Sequence, residues 1–469
     1  MSAPRVIRLL LIAFLILLVS ASATAWFLWR QDRRGQQLLQ EAFAAFQQGH
    51  SAGALQKYDA ALGSRLSTRH RAFAYGGRST VFLAEKKVDR AIADLNQAIA
   101  LAPDVSEFFL ARADDYLQKG DSDRALADYS HALALSPGSF RALLQRAKIE
   151  AERKQPDAAL HDLNEALRLQ PGNLEALQDR GNAYGIKGDW KNALVDYESV
   201  LRLLPETQLL GRDAFRQRIA ELKDRIAIDL REQGVTRFQQ GNLVEAIRLY
   251  DEALTYSPSP GTTTTVLTNR ANARFRLGDH EGAQKNYDEA IRITPDATLA
   301  YLNRAKNSLA LGRENEALND LDEVLRQRPD HVPALLIRAD LLTKRHELEK
   351  ANTDLETALQ HLEELGPKER LPAIQIVAWI RATSPFAILC NGAEAVELGN
   401  ILCIATRWEN SKSIDTLAAA YAETGAYDKA IEMQTRALQL HDIPPEARQR
   451  MEQRLDLYRQ HKPFRYPEK

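Results

Sequence analysis

"RGNAYGIKGDWKNALVDYESVLRLLP", residues 180–205, decides how the chain is read. It opens on Arg180 and Gly181, carries Ala193, Asp196 and Tyr197 in a second apolar-periodic segment, and stops at Pro205. Gly188 stands between the two segments, where a glycine caps the first helix. The proline cannot continue the second. The stretch therefore predicts two antiparallel helices, and it raises the question of whether Arg180 and Asp196 form a site or a structural bond.

The pattern returns every 34 residues. Ala91, Ala125, Ala159 and Ala193 are spaced by 34, and the column resumes at Ala246, Ala283, Ala317 and Ala351. Four residues after each stands Leu95, Tyr129, Leu163, Tyr197, Tyr250, Tyr287, Leu321 or Leu355, which is one helical face. Twelve residues before the alanines lie Ala113, Ala147, Gly181, Gly234, Ala271, Ala305 and Ala339, small enough for two helices to approach closely. Gly120, Gly188, Gly241, Gly278 and Gly312 fall at the first helix's end, and Pro103, Pro137, Pro171, Pro205, Pro258, Pro295 and Pro329 at the second's.

These columns resemble the tetratricopeptide repeat family, in period and in the order of small, aromatic and proline positions. The resemblance implies an all-α fold, a right-handed superhelical solenoid of about ten helix pairs. The units read as 35–68, 72–105, 106–139, 140–173, 174–207, 227–260, 264–297, 298–331 and 332–365, with a tenth at 415–438. The first-helix tryptophan of many family members is replaced by Phe109, Leu143, Leu177, Leu267 or Tyr301.

The organisation expected is a tail and membrane anchor over 1–34, repeats 1–5 over 35–205, an inserted helix over 206–226, repeats 6–9 over 227–365, and a C-terminal helical module over 366–469. The insert, "GRDAFRQRIAELKDR" at 211–225, reads either as an extra helix, which we favour, or as an extension of the next repeat's first helix. "SPSPGTTTT", 257–265, reads as a loop and, with the insert, as a hinge. In the last region, "AWIRATSPFAILCNGAEAVELGNILCIATRW", 378–408, reads as helix, turn, helix. It is similar to a C-terminal module of bacterial tetratricopeptide proteins, a resemblance that implies no defined activity. A charged helix near 445–461 closes the chain, as terminal units of solenoids require.

Leu9 to Trp29 contains 21 residues without a charge, long enough to span a bilayer as a helix. A cleaved signal peptide is the competing reading, with Ala23-Thr24-Ala25 as its processing site, but the apolar run continues through Trp26 to Trp29. The expectation is a single-pass protein of the cytoplasmic (inner) membrane. The short N-terminal tail favours repeats on the extracytoplasmic, periplasmic side, whereas Arg30, Arg33 and Arg34 argue the opposite.

Lys and Arg number 62 against 63 Asp and Glu, so the whole chain lacks the basic footprint of a nucleic-acid binder. Cys390 and Cys403 have no metal-ligand spacing and read as free thiols rather than a disulfide. No phosphate-cradling glycine loop, nucleophile elbow or zinc motif occurs, and His280 and His331 fall near turns without ligand partners. The expectation is a non-catalytic protein, with no cofactor, no metal and no small-molecule substrate.

Arg78, Arg112, Arg146, Arg180, Arg270, Arg304 and Arg338 share one phase of the first helix, and Asp94, Asp128, Asp162, Asp196, Asn286, Asp320 and Asp354 follow sixteen residues later. Units with Glu41, Gln233 or Leu417 in place of the arginine have Lys57, Leu249 or Met433 in place of the aspartate. Because each arginine arrives with its own carboxylate, the column reads as a structural clasp within each repeat rather than an anion-binding ladder. The family resemblance places a partner-binding surface on the concave face, lined by first-helix positions beside that column. There stand Asn182, Arg231, Asn269, Asn272, Arg276, Asn303 and Lys306. Amides can grip a peptide backbone and the cations a carboxylate. This set partly resembles the family's carboxylate clamp without reproducing its full pattern. The function expected is a membrane-anchored scaffold holding a protein or peptide; the alternative is a permanent subunit of a cell-envelope complex.

Overall fold

The computed structural model describes residues 33–466, so the candidate membrane segment lies outside the described residues. Among those residues the regular structure is helical, and no helix is long and apolar enough to cross a membrane. They form two compact units that divide between Lys223 and Asp224.

In the first unit, residues 33–47 pair with Ser51–Leu62, Thr68–Ala84 with Val88–Leu101, and Ser106–Gln118 with Ser122–Leu135. Phe140–Glu152 with Pro156–Leu169 and Leu174–Lys187 with Trp190–Leu203 complete it. The second unit pairs Pro260–Arg276 with His280–Ile293, Thr298–Ala310 with Glu314–Gln327, and Val332–Lys344 with Leu348–Gln360. It continues with Pro367–Thr383 and Gly392–Ala405, then Ser411–Glu423 and Tyr427–Leu438, and ends in Pro445–Arg459.

The alanine columns lie where the helices of a pair meet: Ala113, Ala147, Ala305 and Ala339 face Ala125, Ala159, Ala317 and Ala351, all fully buried. At Gly234 the approach is closer still, since a Cβ there would stand 2.5 Å from Tyr250 Cε1. Between the helices, Gly120, Gly188 and Gly278 take φ of 78, 83 and 83°. The aspartate after each caps the next helix, Asp121, Asp189 and Asp279 accepting from the amides of Arg124, Asn192 and Gly282. Lys86, Lys154 and His346 hold the same turn position with positive φ but without glycine's freedom.

Two segments differ from the sequence reading. Leu209–Gln239 is one continuous helix, so the insert is the extension of repeat 6's first helix and not the separate 206–226 helix. Nothing in its sequence breaks a helix: it contains no proline, and Arg212 binds the exposed end of the previous helix through Leu201 and Leu204 carbonyls. The threonine run at 262–265 is helical rather than a loop, within Pro260–Arg276. Ser259 caps it, Pro260 occupies its first turn, and Thr264 and Thr268 satisfy their hydroxyls on carbonyls four residues back.

The C-terminal module is held by a second kind of ion pair. Arg454 of the last helix donates twice to Asp415, at 2.9 and 2.7 Å, with both residues buried. Gln434 donates to the same carboxylate at 2.8 Å. Cys390 and Cys403 are free, and burial pushes both thiols up to about 11.

Candidate functional site

The arginine column is used up in holding helices together. Arg78 donates through Nε and Nη2 to both oxygens of Asp94 at 2.7 Å each, and Arg112 to Asp128 at 2.7 Å each. Arg146 binds Asp162 at 2.6 and 2.7 Å, and Arg180 binds Asp196 at 2.8 and 2.6 Å. Arg304 and Asp320 lie at 2.9 and 2.6 Å, Arg338 and Asp354 at 2.8 and 2.7 Å. Arg270 makes a single bond of this kind, to Asn286 at 2.6 Å. The carboxylate hydrogen bonds raise the guanidinium pKa values further above their ordinary value.

Each arginine also has a third arm, which the count of Arg against Asp had missed. Nη1 reaches back to the preceding repeat: Arg78 to Asp59, Arg112 to Asn96, Arg146 to Ser130 and Arg180 to Asn164, at 2.6, 2.7, 3.3 and 2.9 Å. Arg304 reaches Asp288 and Arg338 reaches Asp322, at 2.8 and 2.7 Å. The guanidinium therefore ties three helices. In repeat 1 the pair is reversed in charge, with Lys57 donating to Glu41 at 2.5 Å.

Two residues beyond the arginines, the first-helix face varies from repeat to repeat in both units. In the first, Asp114 accepts from the Tyr129 hydroxyl at 2.5 Å and pairs with Arg141 at 2.6 Å. Lys148 pairs with Glu175 and approaches Asp179 at 3.8 Å. Asn182 is solvent-exposed, yet its Oδ1 accepts from Tyr197 at 2.5 Å. Buried Asp115 lies beside Asp114, and burial first, then that neighbouring carboxylate, raise its pKa to about 7.

In the second unit, Asn272 accepts from Tyr287 at 2.6 Å, as Asn182 does from Tyr197. Arg276 stacks over Phe238 at 4.9 Å, and Arg231 bonds its neighbour Glu232 at 3.2 Å. Asn269 is half-buried on the same helix as Asn272. Asn303 and Lys306 line a hollow of about 520 Å³ together with Leu299, Leu302, Val332 and Leu365 and with the charged or polar Arg328, Asp330, His331, His361, Glu364 and Glu369. No carboxylate pairs with Lys306 among the described residues, and partial burial lowers its ammonium pKa. His331 Nδ1 accepts from the Ala334 amide at 3.3 Å, while burial and then Arg328 lower its pKa. The hollow thus brings Lys306 and Asn303 together with apolar side chains and with the carboxylates of Asp330, Glu364 and Glu369. Among the described residues, no group of three His, Cys, Asp or Glu could hold a metal.

Of the seven residues expected to bind a partner, Asn303 and Lys306 share this hollow, Asn182 belongs to the first unit, and the other four lie elsewhere on the second unit's first helices. Glu369, which also lines the hollow, falls outside the repeat period, and His361, Glu364 and Leu365 lie at the very end of the ninth unit.

Family models described as tetratricopeptide repeat match residues 39–106, 110–173 and 264–297. These three segments are tetratricopeptide repeats. Among solved structures the chain is similar to MamA, at 18% identity over 34% of this chain and 92% of that one, with a TM-score of 0.32. It is also similar to yeast Tom70, at 15% identity over 92% and 96% of the two chains, with a TM-score of 0.37. No curated protein matches it.

Proposed function

We propose that the chain is a membrane-attached, non-catalytic scaffold that holds a peptide or protein segment on the first-helix face of its second unit. The observation that carries this reading is Lys306, a cation with no carboxylate partner among the described residues, which shares one hollow with Asn303 and several leucines. An extended segment could set an apolar side chain on Leu299 and Leu302, a backbone amide on Asn303 and a carboxylate on Lys306. Attachment to the membrane rests on the uncharged run Leu9–Trp29. Replacing Asn303 and Lys306 by alanine in the tagged full chain should release a partner that the unaltered chain retains. Equal retention would remove the groove.

The second reading, a permanent subunit of an envelope assembly, is supported by Ile401 and Ile404, 48 and 68% exposed on the helix Gly392–Ala405. A permanent subunit should never migrate alone on size exclusion in detergent.

A further inference from the structure

We propose that one edge of the first two repeats, carrying Arg33, Arg34, Arg65 and Arg69, lies against anionic lipid headgroups. The inference rests on the membrane attachment proposed above but concerns a different surface from the hollow.

The edge is built by packing. A Cβ at Gly35 would stand 2.5 Å from Leu66 Cδ2 and 2.6 Å from Ser64 Oγ, so the start of the first helix sits on the loop that follows Ser51–Leu62. Gln36 and His70 meet at 3.4 Å, bringing in the start of Thr68–Ala84. All four arginines are solvent-exposed there. Arg69 pairs with Asp104 at 3.1 Å, but both side chains are more than 60% exposed, so the pair is weak and exchangeable.

Charge is concentrated at this end of the chain. Residues 33–71 hold six Lys and Arg against two Asp and Glu, whereas the chain as a whole is balanced at 62 against 63. One helical turn beyond Arg69, on the same face, Phe73 is 47% exposed. Cations beside an exposed aromatic ring suit the boundary between headgroups and acyl chains better than they suit an acidic protein surface. The position in the chain agrees with this choice: the uncharged run ends at Trp29, four residues before Arg33. A chain inserted through that run would tether the edge to the membrane by only four residues, and each basic residue near an anionic surface adds to the attraction.

The test uses the full chain carrying Ser64→Cys, with Cys390→Ser and Cys403→Ala, and a fluorophore at position 64. It is mixed with vesicles of phosphatidylcholine alone, or of phosphatidylcholine with phosphatidylglycerol, each containing a headgroup quencher. The expected result is quenching several times stronger in the anionic vesicles, abolished by high salt, and lost when Arg33, Arg34, Arg65 and Arg69 are all replaced by Gln. The salt arm needs no variant, so the test survives a misfolded quadruple substitution. Flotation with both vesicles but equal quenching in the two would overturn the lipid edge and leave attachment standing. Flotation with neither would overturn both, and an acidic protein would then be the partner to seek.

Discussion

The first-helix faces of the two units are made from the same repeat, yet they differ in one repeat, the eighth. In repeats 3–5 each polar residue beside the clasp meets another: Arg141 meets Asp114, Lys148 meets Glu175, and Asn182 meets Tyr197. In repeat 8, Asn303 and Lys306 line a hollow with leucines and have no such counterpart among the described residues. A face whose charges are neutralised from within offers a ligand little that water does not already supply. A lysine with no carboxylate partner does offer something, because its interaction with an incoming carboxylate replaces no internal bond. The difference locates the candidate site without any appeal to the clasp arginines, which are engaged in both units, Arg270 through a single bond to Asn286.

The largest expected effect breaks the clasp. Asp196→Ala leaves Arg180 with Asn164 alone in a partly buried setting, so unfolding free energy should fall by roughly 3 kcal/mol. Arg180→Ala with Asp196→Ala should cost far less than the sum of the single changes by denaturant titration; additive losses would contradict the clasp. Asp320→Ala in the second unit should behave the same way, because the clasp is the feature the two faces share.

Next in size is Gly234→Ala, which drives a methyl group into Tyr250 and should lower stability by about 1–3 kcal/mol. Asp115→Asn tests the charge-crowded face. Its folded carboxyl binds a proton more tightly than the unfolded one, so its ionisation removes stability as pH rises from about 4 to about 7 and leaves stability level above that. Thermal melts should therefore show the amide variant more stable at pH 8, by about 1–2 kcal/mol, and nearly unchanged at pH 4. The smallest effect is Lys154→Gly, which relieves a φ of 57° and should stabilise by about 0.5–1 kcal/mol. The same change at Lys148, whose helical backbone gains nothing from glycine, should destabilise instead.

Much of this was legible in the sequence. The helix pairs followed from alanines, glycines and prolines at a fixed period, because close helix approach and helix termination each demand one residue type. The two ends of each clasp were legible for the same reason: both are charged, and they come and go together. Its third arm was hidden because the acceptor changes chemistry from repeat to repeat, Asn96, Ser130, Asn164, Asp288 and Asp322 serving alike. Asn182 and Asn272 carried a readable warning. Tyr129, Tyr197 and Tyr287 occur with Asp or Asn fifteen residues earlier, whereas Leu163 and Leu321 occur with Lys148 and Lys306. A hydroxyl needs an acceptor and a leucine does not, so the two lysines were the residues left free of that duty. The hollow itself could not be read, since its lining joins the turn at Asp330 and His331 to the end of the ninth unit and to Glu369 beyond it.

The central claim is that the second unit's first-helix face, and not the first's, receives the partner. Photo-crosslinking tests it most directly, with p-benzoylphenylalanine at Leu299 in the hollow or at exposed Gln178 in repeat 5 of the full chain in cells. The account predicts discrete adducts from Leu299 that disappear with Lys306→Ala, and none from Gln178. Adducts from Gln178 alone, or Leu299 adducts indifferent to Lys306→Ala, would contradict it.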